Sequence, residues 1–354
     1  MRSHSRHHQQ AQPASSPRRA STRDLGEGKG YVTTKGGTIA SDGDGDDQGE
    51  GEGKSPAFVH VAPRDMPLPV LIAVPHAGCN YSEEIVRQMR DPGSSQLRLE
   101  DRRVDAVGVE IARATGTGLL VAHAPRAIID LNRASDDIDW GMVARPKGFD
   151  TRAFDEKRAS GPSSNARARS GLGIVPRRLP GTGEIWRSKL SYNELARRIE
   201  QIHRPYHAFL EGELARIRDA WGAALLIDLH SMPPLRRRNN EEAVPKIVIG
   251  DRYGASCDHI LAAHAFRYLE QQGQVASHNR PYSGGYVLDR HARPNHGIHA
   301  IQIELCRSSY LDPSLSEPSQ NVRPLAQMLA GLVRILGAET AGLGSGRHVA
   351  QAAE

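Results

Sequence analysis

Apolar runs of strand length alternate with longer periodic segments between residues 69 and 337. The runs are rich in β-branched residues and predict strands at Val70–Val74, Leu119–Ala122, Arg126–Ile129, Ala223–Ile227, Ile247–Ile249 and Ile301–Leu305. Apolar residues at helical spacing predict helices over Val104–Ala114, Ala255–Gln271 and from Pro324 onward. Because the two kinds of segment alternate, the pattern predicts an α/β fold.

One more helix is predicted to begin at Ser191, because Ser191 and Glu194 have the spacing of a capping box. Apolar residues continue at helical spacing as far as Ile217. Pro205 falls inside this pattern. Proline lacks the amide hydrogen that a helix interior needs, so we expect a kink or a break there.

The two ends of the chain lack this periodicity. Residues 1–55 are mostly polar or small, with a basic part up to Arg23 and an acidic, glycine-rich part over Asp42–Lys54. Such a composition cannot bury enough apolar surface to offset chain entropy, so we predict a disordered N-terminal arm over 1–55. Residues 342–354 are predicted to form a flexible tail. The remaining residues, 56–341, are predicted to form a single domain, whose long irregular stretch 136–187 is expected to be functional or disordered.

Composition narrows the class of protein. The chain has 354 residues and a formal net charge of +5. Its arginines are scattered, aromatic residues make up 5% of the chain, and no nucleic-acid-binding motif is present, so we expect no nucleic-acid partner.

Cys79, Cys257 and Cys306 are too widely spaced for a disulfide framework, which fits a reducing compartment. Without a signal peptide or an apolar run of membrane-spanning length, the sequence predicts a cytoplasmic protein with no membrane partner. It does not indicate an oligomeric state.

Short polar clusters stand within or directly after the strand-like runs. They are Pro75–Gly78, Asp130–Arg133, Asp228–Ser231 and the single residue Glu304. Open α/β sheets place their functional sites at the carboxyl ends of their strands. Histidines, a glutamate and an arginine delivered to such an edge predict a one-metal hydrolase that binds an anionic substrate.

His76 and His230 are the candidate metal ligands, because each is associated with an apolar strand. A catalytic zinc usually has three protein ligands and one open position. No His-x-x-Glu spacing follows His76. The third ligand is therefore left open among carboxylates, of which Asp101 is favoured: Glu83, Glu84, Asp101 and Asp105. The two glutamates alternatively open a surface helix, and Asp101 alternatively caps one.

Glu304 is the most informative single carboxylate. It lies within Ile301–Leu305, a segment too apolar for an exposed strand. An unpaired buried glutamate is unfavourable, so Glu304 is expected to be paired, protonated or functional. In a metal hydrolase, such a residue acts as the general base. The alternative is a structural ion pair with Arg307 or another arginine.

Two further elements are candidates for substrate binding. Arg133 follows an apolar segment, and its planar guanidinium suits a bidentate interaction with a carboxylate; the alternative is a surface arginine. Asn279–Tyr286 is a loop rich in proline and glycine whose backbone is able to approach a ligand closely; the alternative is an ordinary turn.

These residues carry a resemblance to a known family. The chain resembles the N-formylglutamate amidohydrolase (N-formylglutamate deformylase) family over residues 68–336. The matching motifs are VPHAG at 74–78, RAIIDLNR at 126–133, HRPYH at 203–207, LIDLHSMP at 226–233, IGDRYGASC at 249–257, NRPYSGGY at 279–286 and HAIQIELCRSSYLD at 299–312. One departure is Ala77, where family members often carry serine.

The resemblance implies a fold and a set of roles. The fold would be a three-layer α/β/α sandwich around a mixed central sheet, like that of the zinc carboxypeptidases and aminoacylases (phosphorylase/hydrolase-like). One divalent metal, with zinc expected, would be held by His76 and His230, with Asp101 favoured as the third ligand. Glu304 would act as the general base and Arg133 as the carboxylate clamp.

The resemblance also implies helpers and a reaction. Asn132 and Arg126 would assist, one polarising the scissile carbonyl and one binding the substrate, and contacts from Tyr282, Gly284 and Gly285 are expected as well. The reaction would be hydrolysis of the formamide of N-formyl-L-glutamate, a small anionic N-acyl amino acid, to formate and L-glutamate in histidine degradation. The alternatives are a hydrolase of the same mechanism acting on another N-acyl amino acid or small peptide, and a non-catalytic binding protein on the same fold.

Overall fold

An eight-stranded mixed sheet is the centre of the fold. The computed structural model describes residues 21–27, 30–40, 54–144, 168, 170–181, 183–236 and 243–351. The strands are Tyr31–Gly36 (β1), Ile39–Ala40 (β2), Lys54–Ser55 (β3), Phe58–Pro63 (β4), Val70–Val74 (β5), Gly118–Ala122 (β6), Val143–Ala144 (β7), Arg178–Leu179 (β8), Gly183–Glu184 (β9), Leu190–Ser191 (β10), Ala224–Met232 (β11), Ile247–Gly250 (β12), Ala276–His278 (β13) and Ile298–Cys306 (β14).

The large sheet has the order β1-β4-β6-β5-β11-β14-β12-β13. Its centre is parallel, because β6, β5, β11 and β14 run in one direction. The strands β4 and β12 run antiparallel to β6 and β14. The α-helices are Thr22–Gly26 (α1), Glu83–Gln88 (α2), Pro92–Leu99 (α3), Val104–Thr115 (α4), Tyr192–Arg198 (α5), Arg204–Trp221 (α6), His259–Gln271 (α7), Tyr286–His291 (α8) and Val322–Gln351 (α9).

Both faces of the sheet are covered by helices. Ile72 and Ile227 face one side, where they join a core cluster with α4, α7 and α9. Leu71 and Leu226 face the other side and join a second cluster with α5 and α6. Strands buried on both faces appear in the sequence as unbroken apolar runs, which made the central strands easy to predict. The predicted three-layer α/β/α sandwich with a mixed sheet is confirmed. Among the described residues, no helix has the length and apolar character needed to cross a bilayer.

Most predicted elements are present, and one is wrong. Val70–Val74 is a strand as predicted, and Val104–Ala114 lies within α4. Arg126–Ile129, predicted as a strand piece, is a turn in which the Ile128 amide donates to the carbonyl of Pro125 at 2.9 Å. The segment is apolar because a distant part of the same chain covers it. The amide of Asp130 donates to the carbonyl of Ile174 at 2.7 Å.

The long helix predicted from Ser191 contains a π-helical turn directly before Pro205. Ser191 caps α5 by accepting from the amide of Glu194 at 3.1 Å. The turn Ile199–His203 then joins α5 to α6 without a break. Pro205 has no N–H with which to bond the carbonyl of Gln201. That carbonyl accepts instead from the amide of Thr38 at 2.9 Å, so the proline creates an attachment point for the N-terminal segment.

The predicted disordered arm over 1–55 is wrong for residues 21–27, 30–40 and 54–55, the last two of which form β3 and pair with β2. β1 pairs antiparallel with β4 as the edge strand of the large sheet. Leu25 of α1 is buried in the same core cluster as α4. These pieces are too short to give a periodic signal, and they are ordered by pairing and packing with the rest of the chain. The remaining arm residues, 1–20, 28–29 and 41–53, lie outside the described residues.

The predicted flexible tail over 342–354 is wrong as far as Gln351, where α9 ends. One of the glycines that suggested a tail, Gly344, has a packing role. A Cβ at Gly344 would clash with the Trp221 carbonyl oxygen at the end of α6, so only glycine lets α9 pass there. Leu343 packs against the core beside it. The folded domain therefore extends beyond the predicted limits of 56–341 at both ends.

The N-terminal docking predicts a stability effect. Replacing Leu25 by alanine should lower the free energy of unfolding by about 2–4 kcal/mol, because it removes a buried side chain and leaves a cavity between α1 and α4. Chemical denaturation monitored by circular dichroism measures this. Val32→Ala on β1, where the side chain is 47% exposed, is the matched control and should change stability little. Equal effects of the two variants would contradict the docking of α1.

Candidate active site

A cavity of about 520 Å³ opens at the carboxyl edge of the parallel strands. His76 lies two residues after the end of β5, whereas His230 and Glu304 lie inside β11 and β14, which run further than predicted. β11 and β14 pair with His230 opposite Glu304 and Asp228 opposite Gln302. The polar residues of the two strands therefore share one face, because side chains two apart on a strand point the same way.

His76, Asp101 and His230 form a cluster of buried donor atoms within 4.8 Å of one another. Nδ1 of His230 lies 2.8 Å from Oδ2 of Asp101, and Nδ1 of His76 lies 3.5 Å from the same oxygen. The amide of Asp101 donates to the carbonyl of His76 at 2.9 Å, which fixes the position of the aspartate. Two imidazole nitrogens and a carboxylate oxygen are a ligand set that suits a divalent metal such as zinc.

A buried carboxylate contacts the second ring nitrogen of each imidazole. Nε2 of His76 lies 2.8 Å from Oδ1 of Asp130, and Nε2 of His230 lies 2.8 Å from Oδ2 of Asp228. Metal-binding histidines commonly donate their second nitrogen to a carboxylate in this way, which fixes the ring and its tautomer. Asp130 and Asp228 were not predicted as site residues. The signal was present for Asp228, because Asp-x-His on a strand places both side chains on one face.

The electrostatics of the cluster favour a cation. Burial alone would lower the pKa of His230, but the carboxylates of Asp228 and Asp101 raise it well above its usual value. Burial alone would raise the pKa of Asp130, but the charges of Arg126 and His76 hold it well below its usual range. Nδ1 of His76 is buried without a hydrogen-bond partner. An unpartnered ring nitrogen facing an anionic cluster fits a metal ligand.

The other carboxylates considered for the third ligand position lie elsewhere. Glu83 and Glu84 are in the first turn of α2, whose cap is the hydroxyl of Ser82. Asp105 is in the first turn of α4. Asp101 does not cap α4, because the residue at that cap position is Arg103. Of the carboxylates that the sequence left open, Asp101 is the one that the structure places with His76 and His230.

Glu304 is buried in the cavity wall without an ion pair among the described residues. Burial raises its pKa to about 7, and the nearby charges of Asp101 and Asp228 act in the same direction. The alternative of a structural pair with Arg307 is not what the structure contains. Oε1 of Glu304 accepts from the side-chain Nε2 of Gln302 at 2.9 Å. A desolvated carboxylate with a pKa near neutrality is suited to proton transfer.

Arg307 fastens the Asp101 loop to the end of β14. Its Nη1 donates to the carbonyl of Leu97 at 2.8 Å, its Nη2 to the carbonyl of Glu100, and its Nε to the hydroxyl of Ser231 at 3.3 Å. The segment that carries Asp101 has no strand to hold it in register. The buried guanidinium supplies that restraint through the main chain.

Arg126 and Arg133 both line the cavity and differ in how they are held. Arg133 donates from Nε to the carbonyl of Leu172 at 3.0 Å and from Nη1 to that of Asn132 at 2.8 Å. Arg126 donates from Nε to Asp130 at 2.9 Å, and its two terminal nitrogens have no hydrogen-bond partner among the described residues. Arg126 therefore presents the paired donors that a carboxylate binds.

Asn132 is oriented by the first turn of α8, which begins at the last residue of the predicted loop Asn279–Tyr286. Its Oδ1 accepts from the amide of Val287 at 2.9 Å, which leaves its NH₂ group as a donor at the cavity. A Cβ at Gly285 would lie 2.5 Å from this Oδ1, so the close approach requires glycine. Gly284 has a φ of +97°, which also favours glycine. Both glycines and Tyr282 line the cavity, as does Ser283.

Part of the irregular stretch 136–187 forms a wall of the cavity through Leu172, Pro176, Leu179 and Pro180. Side-chain hydrogen bonds order it: Nε1 of Trp186 donates to the carbonyl of Pro176 at 2.7 Å. Arg177 pairs with Asp139 at 2.6 Å. Residues 145–167, 169 and 182 of the stretch lie outside the described residues.

The HRPYH histidines support the site from the protein interior. Nε2 of His203 lies 2.8 Å from the carbonyl of Arg133, and Nε2 of His207 lies 3.0 Å from that of Leu131. Nδ1 of His207 lies 2.9 Å from Nε2 of His291. Nε2 of His207 faces a carbonyl oxygen and donates to it, so in the neutral ring Nδ1 accepts from Nε2 of His291. Burial lowers the pKa of His207 well below its usual value and that of His291 to about 3.

The chain is similar in sequence and structure to bacterial proteins named for N-formylglutamate. A sequence profile described as N-formylglutamate amidohydrolase matches residues 68–311. The N-formylglutamate deformylase of Pseudomonas putida is 30% identical over 275 residues, covering 75% of this chain and 92% of that protein. The N-formylglutamate deformylase of Pseudomonas aeruginosa is 28% identical over 254 residues, covering 69% and 83% respectively. The crystal structure of N-formylglutamate amidohydrolase from Ralstonia eutropha JMP134 is 28% identical with a TM-score of 0.67, covering 79% of this chain and 97% of that one.

The neutral His207–His291 pair predicts how stability depends on pH. In the unfolded chain, histidine takes up a proton below a pH of about 6.5. The folded state binds no proton at His291 until the pH approaches 3, so its stability falls as the pH drops below 6.5. His291→Gln keeps a donor toward His207 but does not titrate. Between pH 7.5 and 5.0, the variant should gain about 2 kcal/mol of unfolding free energy relative to the wild type.

Urea denaturation at the two pH values measures this difference. His296→Gln is the control, because His296 is exposed and should give a similar difference from the wild type at both pH values. A stability difference between wild type and His291→Gln that does not change with pH would contradict a neutral buried pair.

Proposed function

The chain belongs to the N-formylglutamate amidohydrolase family, as its motifs predict, and we propose that it hydrolyses the formamide bond of N-formyl-L-glutamate to formate and L-glutamate. The observation that carries this proposal is one arrangement at the carboxyl edge of the sheet. The cluster of His76, Asp101 and His230 lies beside Glu304, a buried carboxylate without an ion pair among the described residues. Glu304 stands opposite His230 on the neighbouring strand. Paired donors for an anionic substrate line the same cavity.

We infer that His76, Asp101 and His230 hold one divalent metal ion, with zinc favoured by the mixture of nitrogen and carboxylate ligands. The residues fit such an ion, because each ring is held by a second carboxylate and one ring nitrogen is otherwise unpartnered. When bound, the ion would polarise the formyl oxygen and lower the pKa of a water molecule toward about 7.

Arg126 and Arg133 bind the carboxylates of the substrate in this proposal. Arg126 is the better placed for a bidentate interaction, since its terminal nitrogens are not used by the described protein. Arg133 is fixed by main-chain carbonyls and contributes a positive charge of constant position. Tyr282, Gly284 and Gly285 also line the cavity, where the glycines allow close approach to the substrate.

The proton transfers are assigned to Glu304 and the carbonyl contact to Asn132. The NH₂ group of Asn132 donates to the formyl oxygen as negative charge develops there. Glu304 takes a proton from the water that attacks the formyl carbon. It then delivers this proton to the glutamate nitrogen as the C–N bond breaks, so that formate and the free amine leave.

The first test is metal-dependent release of formate. Purified protein should release formate from N-formyl-L-glutamate, lose this activity on treatment with a chelator, and regain it with zinc. Formate is measured with a coupled dehydrogenase, and metal content by mass spectrometry. A panel of N-formyl and N-acetyl amino acids is the control for specificity. Turnover of another member in place of N-formyl-L-glutamate would support the proposed hydrolase mechanism and contradict the proposed substrate. Absence of both metal and turnover would favour a binding protein.

Glu304→Gln tests the general base. The variant should keep bound zinc and substrate affinity but lose about 10²- to 10⁴-fold in kcat, because the amide cannot accept the proton. The matched control is Glu84→Gln, a glutamate in the surface helix α2 that should have no effect on kcat or zinc content. Full activity of Glu304→Gln would reject the assignment of the base.

A further inference from the structure

Gln302 is a buried polar residue that no part of the proposed mechanism uses. It lies two residues before Glu304 on β14, is 4% exposed, and lines the same cavity. Its Nε2 donates to Oε1 of Glu304 at 2.9 Å. On the premise of the proposed function, we propose that Gln302 is a positioning residue, which fixes the Glu304 carboxylate so that one chosen oxygen faces the reacting water.

The contacts of the Glu304 carboxylate support this role. Among the described residues, the bond from Gln302 is the one hydrogen bond that its side chain receives, and it forms no ion pair. That bond occupies Oε1 and leaves Oε2 for proton transfer. A carboxylate without other restraints is able to rotate, and an error of about 1 Å in the position of a reacting group reduces rate by about 10²-fold. The glutamine therefore supplies the restraint that the rest of the site lacks.

The side-chain oxygen of Gln302 indicates that the contact with Glu304 determines how the Gln302 amide is oriented. Oε1 of Gln302 is buried without a hydrogen-bond partner. The reversed amide would place this oxygen against an oxygen of Glu304, so the nitrogen faces Glu304 whenever that carboxylate is ionised, as a general base must be. A buried unpaired acceptor is unfavourable. A glutamine that served only to pack the strand would gain nothing by leaving its oxygen unpaired, whereas one that orients Glu304 keeps its donor there in spite of this.

The cross-strand neighbour makes the arrangement specific. Gln302 stands opposite Asp228, and Oδ1 of Asp228 is also buried without a partner. Asp228 uses its other oxygen for His230. The two strands thus repeat one arrangement: in each, the residue two positions earlier holds a site residue, Asp228 for the imidazole and Gln302 for the carboxylate.

A double-mutant cycle between Gln302→Met and Glu304→Gln tests the role. Methionine keeps the length of the side chain and removes the donor. Gln302→Met should lower kcat about 10- to 100-fold, with KM within about threefold of the wild type and unchanged zinc content. In the Glu304→Gln background, the same substitution should cause no further loss, because a positioning residue acts through the group that it positions. Gln201→Met, on the exposed face of the π-helical turn, is the matched control and should leave kcat and KM unchanged.

Several results would overturn the proposal. These are an unchanged kcat, a rise in KM alone, or an equal loss of kcat in the Glu304→Gln background. If Gln302→Met does not fold, Gln302→Asn replaces it. Asparagine keeps an amide in the strand but is one methylene too short to reach Glu304, so it should show the same loss.

A structural readout separates this proposal from the proposed function. If the wild type acts on no member of the substrate panel, the proposed function fails, and crystal structures of the zinc-loaded wild type and Gln302→Met then decide the role of Gln302. Displacement of the Glu304 carboxylate by about 1 Å or more in the variant would support positioning. An unmoved carboxylate would overturn it.

Discussion

Charge buried away from water is the constraint on which the rest of this structure depends. His76, Asp101 and His230 meet at the end of an apolar sheet, where no one of them is stable in ionised form alone. Asp130 and Asp228 stabilise the two rings from behind, and the cluster as a whole attracts positive charge. Loss of one member leaves its partner unpaired in the interior, which is more unfavourable than the loss of an exposed ion pair. The site is therefore a unit, and its residues constrain one another.

Two kinds of backbone carry this unit, and each is held in its own way. The strands β11 and β14 are fixed by their ladder, which sets His230 beside Glu304 without help from other side chains. The segments that carry Asp101 and Asp130 have no ladder. Arg307 holds the first through main-chain carbonyls, and the HRPYH histidines hold the turn that contains the second in the same manner. Buried side chains that bond to the backbone thus do for the loops what strand pairing does for the sheet.

Sequence patterns failed where order comes from distant contacts. The pieces at 22–26 and 31–36 are polar and short, yet Leu25 packs in the core and β1 pairs with β4. Glycines after residue 341 suggested a flexible tail, but one of them, Gly344, allows a helix to pass close to the end of another. Composition indicates how much apolar surface a segment is able to bury by itself. It does not indicate which strand or core surface another segment provides for it to pair with or pack against. The same limit explains why Arg126–Ile129 was predicted as a strand, since an apolar segment is buried equally well in a covered turn.

The sequence by itself predicted the alternation of strands and helices and the central strands, and its family resemblance predicted the layers and the residues that are proposed to bear the chemistry. Strands buried on both faces leave an unbroken apolar run, and polar residues such as His230 or Glu304 stand out within it. It did not determine which carboxylate joins the histidines, because Asp101 and its rivals have similar local surroundings and only the path of the chain separates them. It also did not reveal that Gln302 contacts Glu304, or that Arg307 donates to main-chain carbonyls beside Asp101 and does not pair with Glu304. Side-chain partners depend on distances between segments far apart in the chain, and the tertiary structure alone sets those distances.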